Sequence, residues 1–166
     1  MNPTATVISI GMGEMKVTGD PMVQLCCIGL GSCIGFSAYD PVSRVGGMAH
    51  LVLPNPAPGQ NGVIPSAKYV TTGVPLILEE MLKHGAQLSR LVIKMAGGAQ
   101  MFNIPGSNMS LDIGTRNIEM VRSVLSKVGV RYVRSDIGGN KGRTMYLMID
   151  TGKVLVRTVG QPAIEL

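Results

Sequence analysis

The segment from Pro21 to Tyr39 contains no charged residue, and it constrains the fold more than any other feature of the sequence. It is long enough to imitate a membrane span. Its glycines, its serines and its content of β-branched and sulfur-containing residues argue against a spanning helix. The segment instead predicts two buried strands, at 22–28 and 33–39, which are joined by the tight turn GLGSC at 29–33.

Short runs rich in β-branched residues predict further strands along the rest of the chain. These runs lie at 5–9, 46–52, 91–96, 130–136, 143–150 and 153–159. The DTG turn at 150–152 joins the last two as a hairpin. Because helices do not separate the strands at regular intervals, we do not expect a doubly wound parallel sheet.

Two substantial helices are expected between these strands. The first follows the proline-rich loop 54–65, with Ser66 as its N-cap and Gly85 at its end. The second spans 115–128 and ends at Gly129. The chain is therefore predicted to be one α+β domain over 1–166, a three-layer α/β/β sandwich. In it two main helices pack on one face of a mixed sheet, and strands cover the other face.

Charge and cysteine content narrow the classes of function. The net charge of +5 suits acidic partners. The basic residues are scattered without interleaved aromatics, so we do not expect nucleic-acid binding. The N-terminus has no basic region before its apolar stretch, so it is a poor signal peptide. The three clustered cysteines are an odd number and cannot all pair with one another, so a secreted disulfide framework is not expected. We expect a cytoplasmic protein without membrane insertion.

Several motifs for cofactors and metals fail in this sequence. GLGSCIG departs from the dinucleotide fingerprint at Ile34, and no phosphate-binding loop sequence occurs. Cys26, Cys27, Cys33 and His50 could supply four zinc ligands. Adjacent cysteines in a strand point to opposite faces, however, and the usual C-x₂₋₄-C pair is absent. We expect no cofactor and no metal.

Cys33 and His50 are compatible with a reactive pair. A thiolate attacks carbonyl carbon, and an imidazole can both generate it and protonate the leaving group. The residues are expected on neighbouring strands, where side chains directly opposite lie roughly 5 Å apart. Glycines at 29 and 31 allow backbone amides to approach an oxyanion closely. A buried core thiol and a satisfied core histidine explain the same residues, and spacing alone does not choose between these alternatives.

The sequence resembles the CheD family of chemoreceptor glutamine deamidases over nearly its whole length. The string LGSCIGFSAYDPVSRVGGMAHLVLP at 30–54 carries the most specific part of this resemblance. Further similar segments follow in the same order: KYVTTGVPLILEEMLKHGA, KMAGGAQMF, IGTRNIEMVRSVL, SDIGGNKGRT and TGKVLVR.

The resemblance implies a function and a set of site residues. The implied reaction hydrolyses the side-chain amide of glutamines on chemoreceptor helices to glutamate and ammonia, with glutamate methyl esters as a second substrate class. The nucleophile would be Cys33 and the base His50, with oxyanion donors in the turn that contains Gly31 and Ser32. The family's threonine falls on Cys27, a thiol and hence a poor hydrogen-bond partner. Either another group orients His50 or turnover is reduced.

The resemblance also implies a protein partner, a CheC-like phosphatase of the response regulator CheY. Phe102 matches a position expected in that contact, although a phenylalanine could equally anchor its own loop in the core. Two alternatives remain open at this point. One is a CheD-like adaptor with a weakened site that regulates CheC, and the other is a thiol-based redox or metal sensor using Cys26, Cys27 and Cys33.

Overall fold

The computed structural model describes residues 4–59, 66–101, 112–130 and 132–166. Within these ranges the chain forms ten β-strands, two α-helices and a 3-10 turn at Leu88–Arg90. The strands are β1 Thr6–Ser9, β2 Met15–Thr18, β3 Val23–Leu30, β4 Ile34–Asp40, β5 Val45–Leu51, β6 Val92–Gly97, β7 Tyr132–Ile137, β8 Arg143–Met148, β9 Val154–Thr158 and β10 Ile164–Glu165. The helices are α1 Val70–Lys83 and α2 Ile113–Val128.

The ten strands form two five-stranded sheets. We name them the outer sheet, with the order β1-β3-β8-β9-β10, and the inner sheet, with the order β2-β5-β4-β6-β7. In each sheet of the described chain one pair of strands is parallel, β1 with β3 and β6 with β7, and the other pairs are antiparallel. Both sheets are therefore mixed.

Two hydrophobic cores hold three layers together. One lies between the helices and the inner sheet and includes Phe36 and Ile77, and the other lies between the two sheets and includes Leu25 and Met145. Strands β4 and β5 are buried along their whole length, because helices cover one face of the inner sheet and the outer sheet covers the other. The predicted α+β fold, a three-layer α/β/β sandwich with two main helices, is confirmed.

Helix α2 begins and ends on residues suited to those positions. The Asp112 side chain accepts a hydrogen bond from the Thr115 N–H at 2.9 Å, which satisfies a first-turn amide. Gly129 closes the helix in the left-handed conformation, with φ of +77°. The helix therefore starts two residues before the predicted 115, and its predicted end at 128 is confirmed.

Helix α1 starts later than the sequence predicts. The prediction that Ser66 caps it is wrong: the N-cap is Tyr69, without a side-chain capping bond, and the Ser66 hydroxyl accepts from the Lys68 N–H at 3.2 Å. Ser66 forms a local turn instead, an alternative open to serine near a helix start. Neither helix in the described ranges has the length and apolar content that a bilayer span requires.

Candidate active site

The GLGSC sequence ends β3 with Gly29 and Leu30, and its residues 31–33 connect β3 to β4. Gly29 has φ of +72°, a conformation that glycine adopts without strain, and the pairing of β3 with β8 shifts there. The Gly31 N–H donates to the Gly29 carbonyl at 3.0 Å. A Cβ on Gly31 would lie 2.9 Å from Cγ of Met101, so glycine lets that side chain pack over the turn. Cys33 ends the turn and is only partly buried.

Strand register brings Cys33 and His50 to neighbouring positions. His50 on β5 lies directly opposite Gly35 on β4, and Ile34 lies opposite Leu51. Cys33 precedes Ile34, so continued alternation places it diagonal to His50 on the same face, at about 7–8 Å between Cα atoms. Cys33 packs against the core between the sheets, the side on which Met48 of β5 also lies. The structure therefore places both predicted residues at one end of the inter-sheet layer.

The imidazole of His50 is held by a backbone carbonyl. Its Nδ1 lies 3.2 Å from the Ile10 carbonyl oxygen, and because a carbonyl only accepts, Nδ1 carries the proton. Ile10 begins a turn at residues 10–14, and the backbone of His50 bonds to this turn as well. The His50 N–H donates to the Glu14 carbonyl, and the His50 carbonyl accepts from the Gly13 N–H. Nε2 is buried and has no hydrogen-bond partner among the described residues. The ring is thus fixed with the Nε2 lone pair unused.

Burial sets the resting protonation of both groups. Burial lowers the pKa of His50 below its usual 6.5, and the bond to Ile10 offsets only part of this change. Burial raises the pKa of Cys33 above its usual 9.0, and the backbone amide of the same residue offsets part of that rise. At neutral pH the site therefore holds a thiol and a neutral imidazole, and not a preformed ion pair.

Cys27 lies in the same region but does not orient His50. It is fully buried, and its Cβ is 3.6 Å from where a Cβ on Gly35 would stand. Burial raises its pKa far above the ordinary thiol value, and the neighbouring Cys26 and Cys33 raise it further. The group at Nδ1 of His50 is the Ile10 carbonyl and not the Cys27 thiol.

Cys26, a further predicted residue that the structure describes, is separated from this cluster. Cys26 points to the opposite face of β3, as strand alternation predicts, and lies directly opposite Tyr146 of β8. Within the ranges that the structure describes, no three His, Cys, Asp or Glu side chains are grouped closely enough to hold a metal ion. Phe102 lies outside the described residues.

A residue that the sequence analysis missed supports the site from α2. Asn117 is fully buried, and its Nδ2 donates to the Ser32 carbonyl at 2.9 Å and to the Val52 carbonyl at 3.0 Å. One signal was available in the sequence: Asn117 lies four residues before Val121, on the apolar face of the helix. A polar side chain on a buried face requires a partner.

Comparisons with known proteins show the family of this chain. A family model described as "CheD chemotactic sensory transduction" matches residues 52–158. The chain is 48% identical over 158 residues to the probable chemoreceptor glutamine deamidase CheD of Symbiobacterium thermophilum, covering 95% of this chain and 96% of that protein. Proteins of the same name from Desulforamulus reducens and Desulfitobacterium hafniense are 44% and 47% identical. These alignments cover 93% of this chain and 92% and 95% of the two relatives. The family model matches more than half of the chain, and the alignments with these relatives cover nearly all of it. The chain therefore belongs to the CheD family.

Proposed function

We propose that this chain is a protein-glutamine deamidase that acts on chemoreceptors through Cys33 and His50. The names of its relatives support the substrate class. The observation that carries the chemistry is the fixed imidazole: its Nε2 is unused, and His50 lies on the strand that pairs with β4, which directly follows the turn that Cys33 ends. A base within reach of a nucleophile, and itself oriented by a third group, is the arrangement that acyl transfer requires.

The first half of the reaction forms a thioester. As Cys33 Sγ attacks the glutamine Cδ, Nε2 of His50 takes the thiol proton, which suits a site that rests as thiol and neutral imidazole. The amide oxygen becomes an oxyanion, which backbone N–H groups of the Gly31–Cys33 turn stabilise. The imidazolium then gives its proton to the departing nitrogen, and the C–N bond breaks to release ammonia. The Ile10 carbonyl keeps the ring in place while the ring is charged.

The second half of the reaction hydrolyses the thioester. Nε2 takes a proton from water, and the resulting hydroxide attacks the thioester carbon. A second oxyanion collapses with breakage of the C–S bond, the Cys33 sulfur recovers its proton from His50, and the product is glutamate. No group outside the chain, other than water, is needed to balance these steps.

Mass spectrometry of a purified chemoreceptor cytoplasmic fragment tests this function directly. We expect selected glutamines to become glutamates with release of an equal amount of ammonia. Hydroxylamine added during turnover should intercept the thioester and leave glutamyl hydroxamate at the same positions. Absence of conversion by a chain that still binds a CheC-like phosphatase would instead support the adaptor function.

The CheC-like partner is the second component of the proposal, and it rests on the resemblance alone. Phe102 is the residue that we place in that contact, and Phe102→Ala should weaken binding in a titration with a CheC homologue. Val159→Ala, which truncates an exposed apolar side chain on another part of the chain, is the matched control. Unchanged affinity of Phe102→Ala would remove this residue from the interface.

A further inference from the structure

The amide of Asn117 joins two strand ends that flank the candidate site. Ser32, which immediately precedes Cys33, and Val52, which follows His50 by two residues, both direct their carbonyls at its Nδ2. Two carbonyl acceptors fix the orientation of the amide, because only its NH₂ group can face them. Its Oδ1 is buried and has no hydrogen-bond partner in the described part of the chain. Asn117 therefore donates two hydrogen bonds from its nitrogen, although leaving its buried oxygen without a hydrogen bond costs free energy.

The three successive carbonyls of the turn are each held by a donor. The Ala99 N–H donates to the Gly31 carbonyl at 2.7 Å, and the Gly98 N–H donates to the Cys33 carbonyl at 2.8 Å. The Ser32 carbonyl between them is held by Asn117. Backbone donors hold the outer two, so the middle peptide is the one whose direction depends on a side chain.

Holding the Ser32 carbonyl also sets the direction of the Cys33 amide. In a planar trans peptide the C=O and the following N–H point in opposite directions. With the Ser32 carbonyl turned toward α2, the Cys33 N–H points away from α2. During attack an oxyanion forms beside the nucleophile, so an N–H group next to the Cys33 sulfur can donate to it.

We infer that Asn117 is a positioning residue for the oxyanion donor. By holding the Ser32 carbonyl, it aims the Cys33 N–H at the oxygen of the reacting amide, without touching the substrate itself. This inference rests on the proposed acyl transfer at Cys33. It assigns Asn117 to stabilisation of the tetrahedral intermediate and not to activation of the thiol.

Two reactions of Cys33 separate these roles. Deamidation passes through an oxyanion, whereas alkylation by iodoacetamide occurs at a saturated carbon and forms none. In Asn117→Ala we expect kcat to fall about 10- to 100-fold, while KM and the alkylation rate of Cys33 each stay within about twofold of wild type. Glu119→Gln, an exposed change on the same helix, is the matched control and should alter neither reaction.

Other variants keep the inference testable. Asn117→Asp preserves the size of the side chain but replaces the donor with an acceptor, and Asn117→Leu removes all polarity, so both should show the same selective loss. A folded variant with kcat within about twofold of wild type would overturn the inference, as would a parallel loss of alkylation. Activity in Cys33→Ala would instead contradict the proposed function. An inactive Cys33→Ala beside fully active Asn117 variants would overturn only the role of Asn117.

Discussion

Individual residues in this site have separable tasks. In the proposed mechanism Cys33 supplies the nucleophile and the unused Nε2 of His50 supplies the base, while the Ile10 carbonyl holds the ring. Residue type and spacing made the first two candidates, and the family resemblance favoured a reactive pair over two core residues. The third could not be predicted, because any residue has a carbonyl and only the folded path of the 10–14 turn directs this one at the imidazole. In the proposed mechanism the Cys27 thiol therefore has no part in orienting the ring.

The buried neutral imidazole predicts a specific loss of stability in acid. The folded-state pKa of His50 lies below the unfolded value of 6.5, so the unfolded chain binds the proton first. The stability that this difference gives is fully present above pH 6.5 and is lost as pH falls toward the folded pKa. Urea unfolding from pH 7.5 to pH 5 should therefore show wild type losing stability relative to His50→Leu. Parallel pH profiles for the two proteins would contradict the assigned burial.

Truncating Cys27 should have little effect on catalysis. In Cys27→Ala we expect kcat on a receptor fragment within about threefold of wild type, because the Ile10 carbonyl and not this thiol orients His50. The melting temperature should fall, since the change leaves a small cavity in the inter-sheet core. Cys26→Ala, on the opposite face of the same strand, is the matched control. A loss of kcat as large as that of His50→Ala would restore Cys27 to the catalytic group.

Among the elements, α2 connects the helical layer to the site. Its first turns pack on the Gly98–Ala99 segment, whose amides hold the turn before β4. Gly114 permits this approach: a Cβ there would lie 2.5 Å from the Gly98 carbonyl oxygen and 2.8 Å from that of Ala99. The sequence predicted the helix from the spacing of its apolar residues. It did not predict this contact, because a single glycine within a helix does not belong to that pattern.

Adding one methyl group at this contact tests the role of the element. Alanine normally stabilises a helix interior by about 1 kcal/mol relative to glycine. Gly114→Ala should instead lower both the melting temperature and kcat, because α2 must move away from backbone atoms. Ser123→Ala, at an exposed position of the same helix, should leave kcat unchanged and the melting temperature equal or higher. A stabilised and fully active Gly114→Ala would show that the close approach is unimportant.

Local patterns predicted the long elements better than the short ones. The uncharged run predicted β3 and β4, and glycines marked their turn and the end of α2. The two-residue strand β10 and the four-residue strand β2 were missed. Strand β2 carries Lys16 and forms only by pairing with β5. Its existence depends on a long-range partner and not on local sequence.

At the scale of the whole molecule, the layers bring distant segments to one place. The Ser32 carbonyl and its donor Asn117 are 85 residues apart, and His50 is 40 residues from the Ile10 carbonyl. Composition and charge indicated an apolar globular protein, and the family resemblance indicated which cysteine and histidine to join. Neither could show how α2 and the 10–14 turn support them, because those contacts exist only once the layers have assembled.

The most direct test of the proposed mechanism compares two variants, each with one cysteine replaced by alanine. The initial rate of glutamine-to-glutamate conversion in a receptor fragment is measured by mass spectrometry for wild type, Cys33→Ala and Cys26→Ala, each confirmed as folded by circular dichroism. We predict that Cys33→Ala loses more than about 10³-fold in rate, while Cys26→Ala stays within about twofold of wild type. A folded Cys33→Ala that deamidates at the wild-type rate would contradict the assignment of Cys33 as nucleophile.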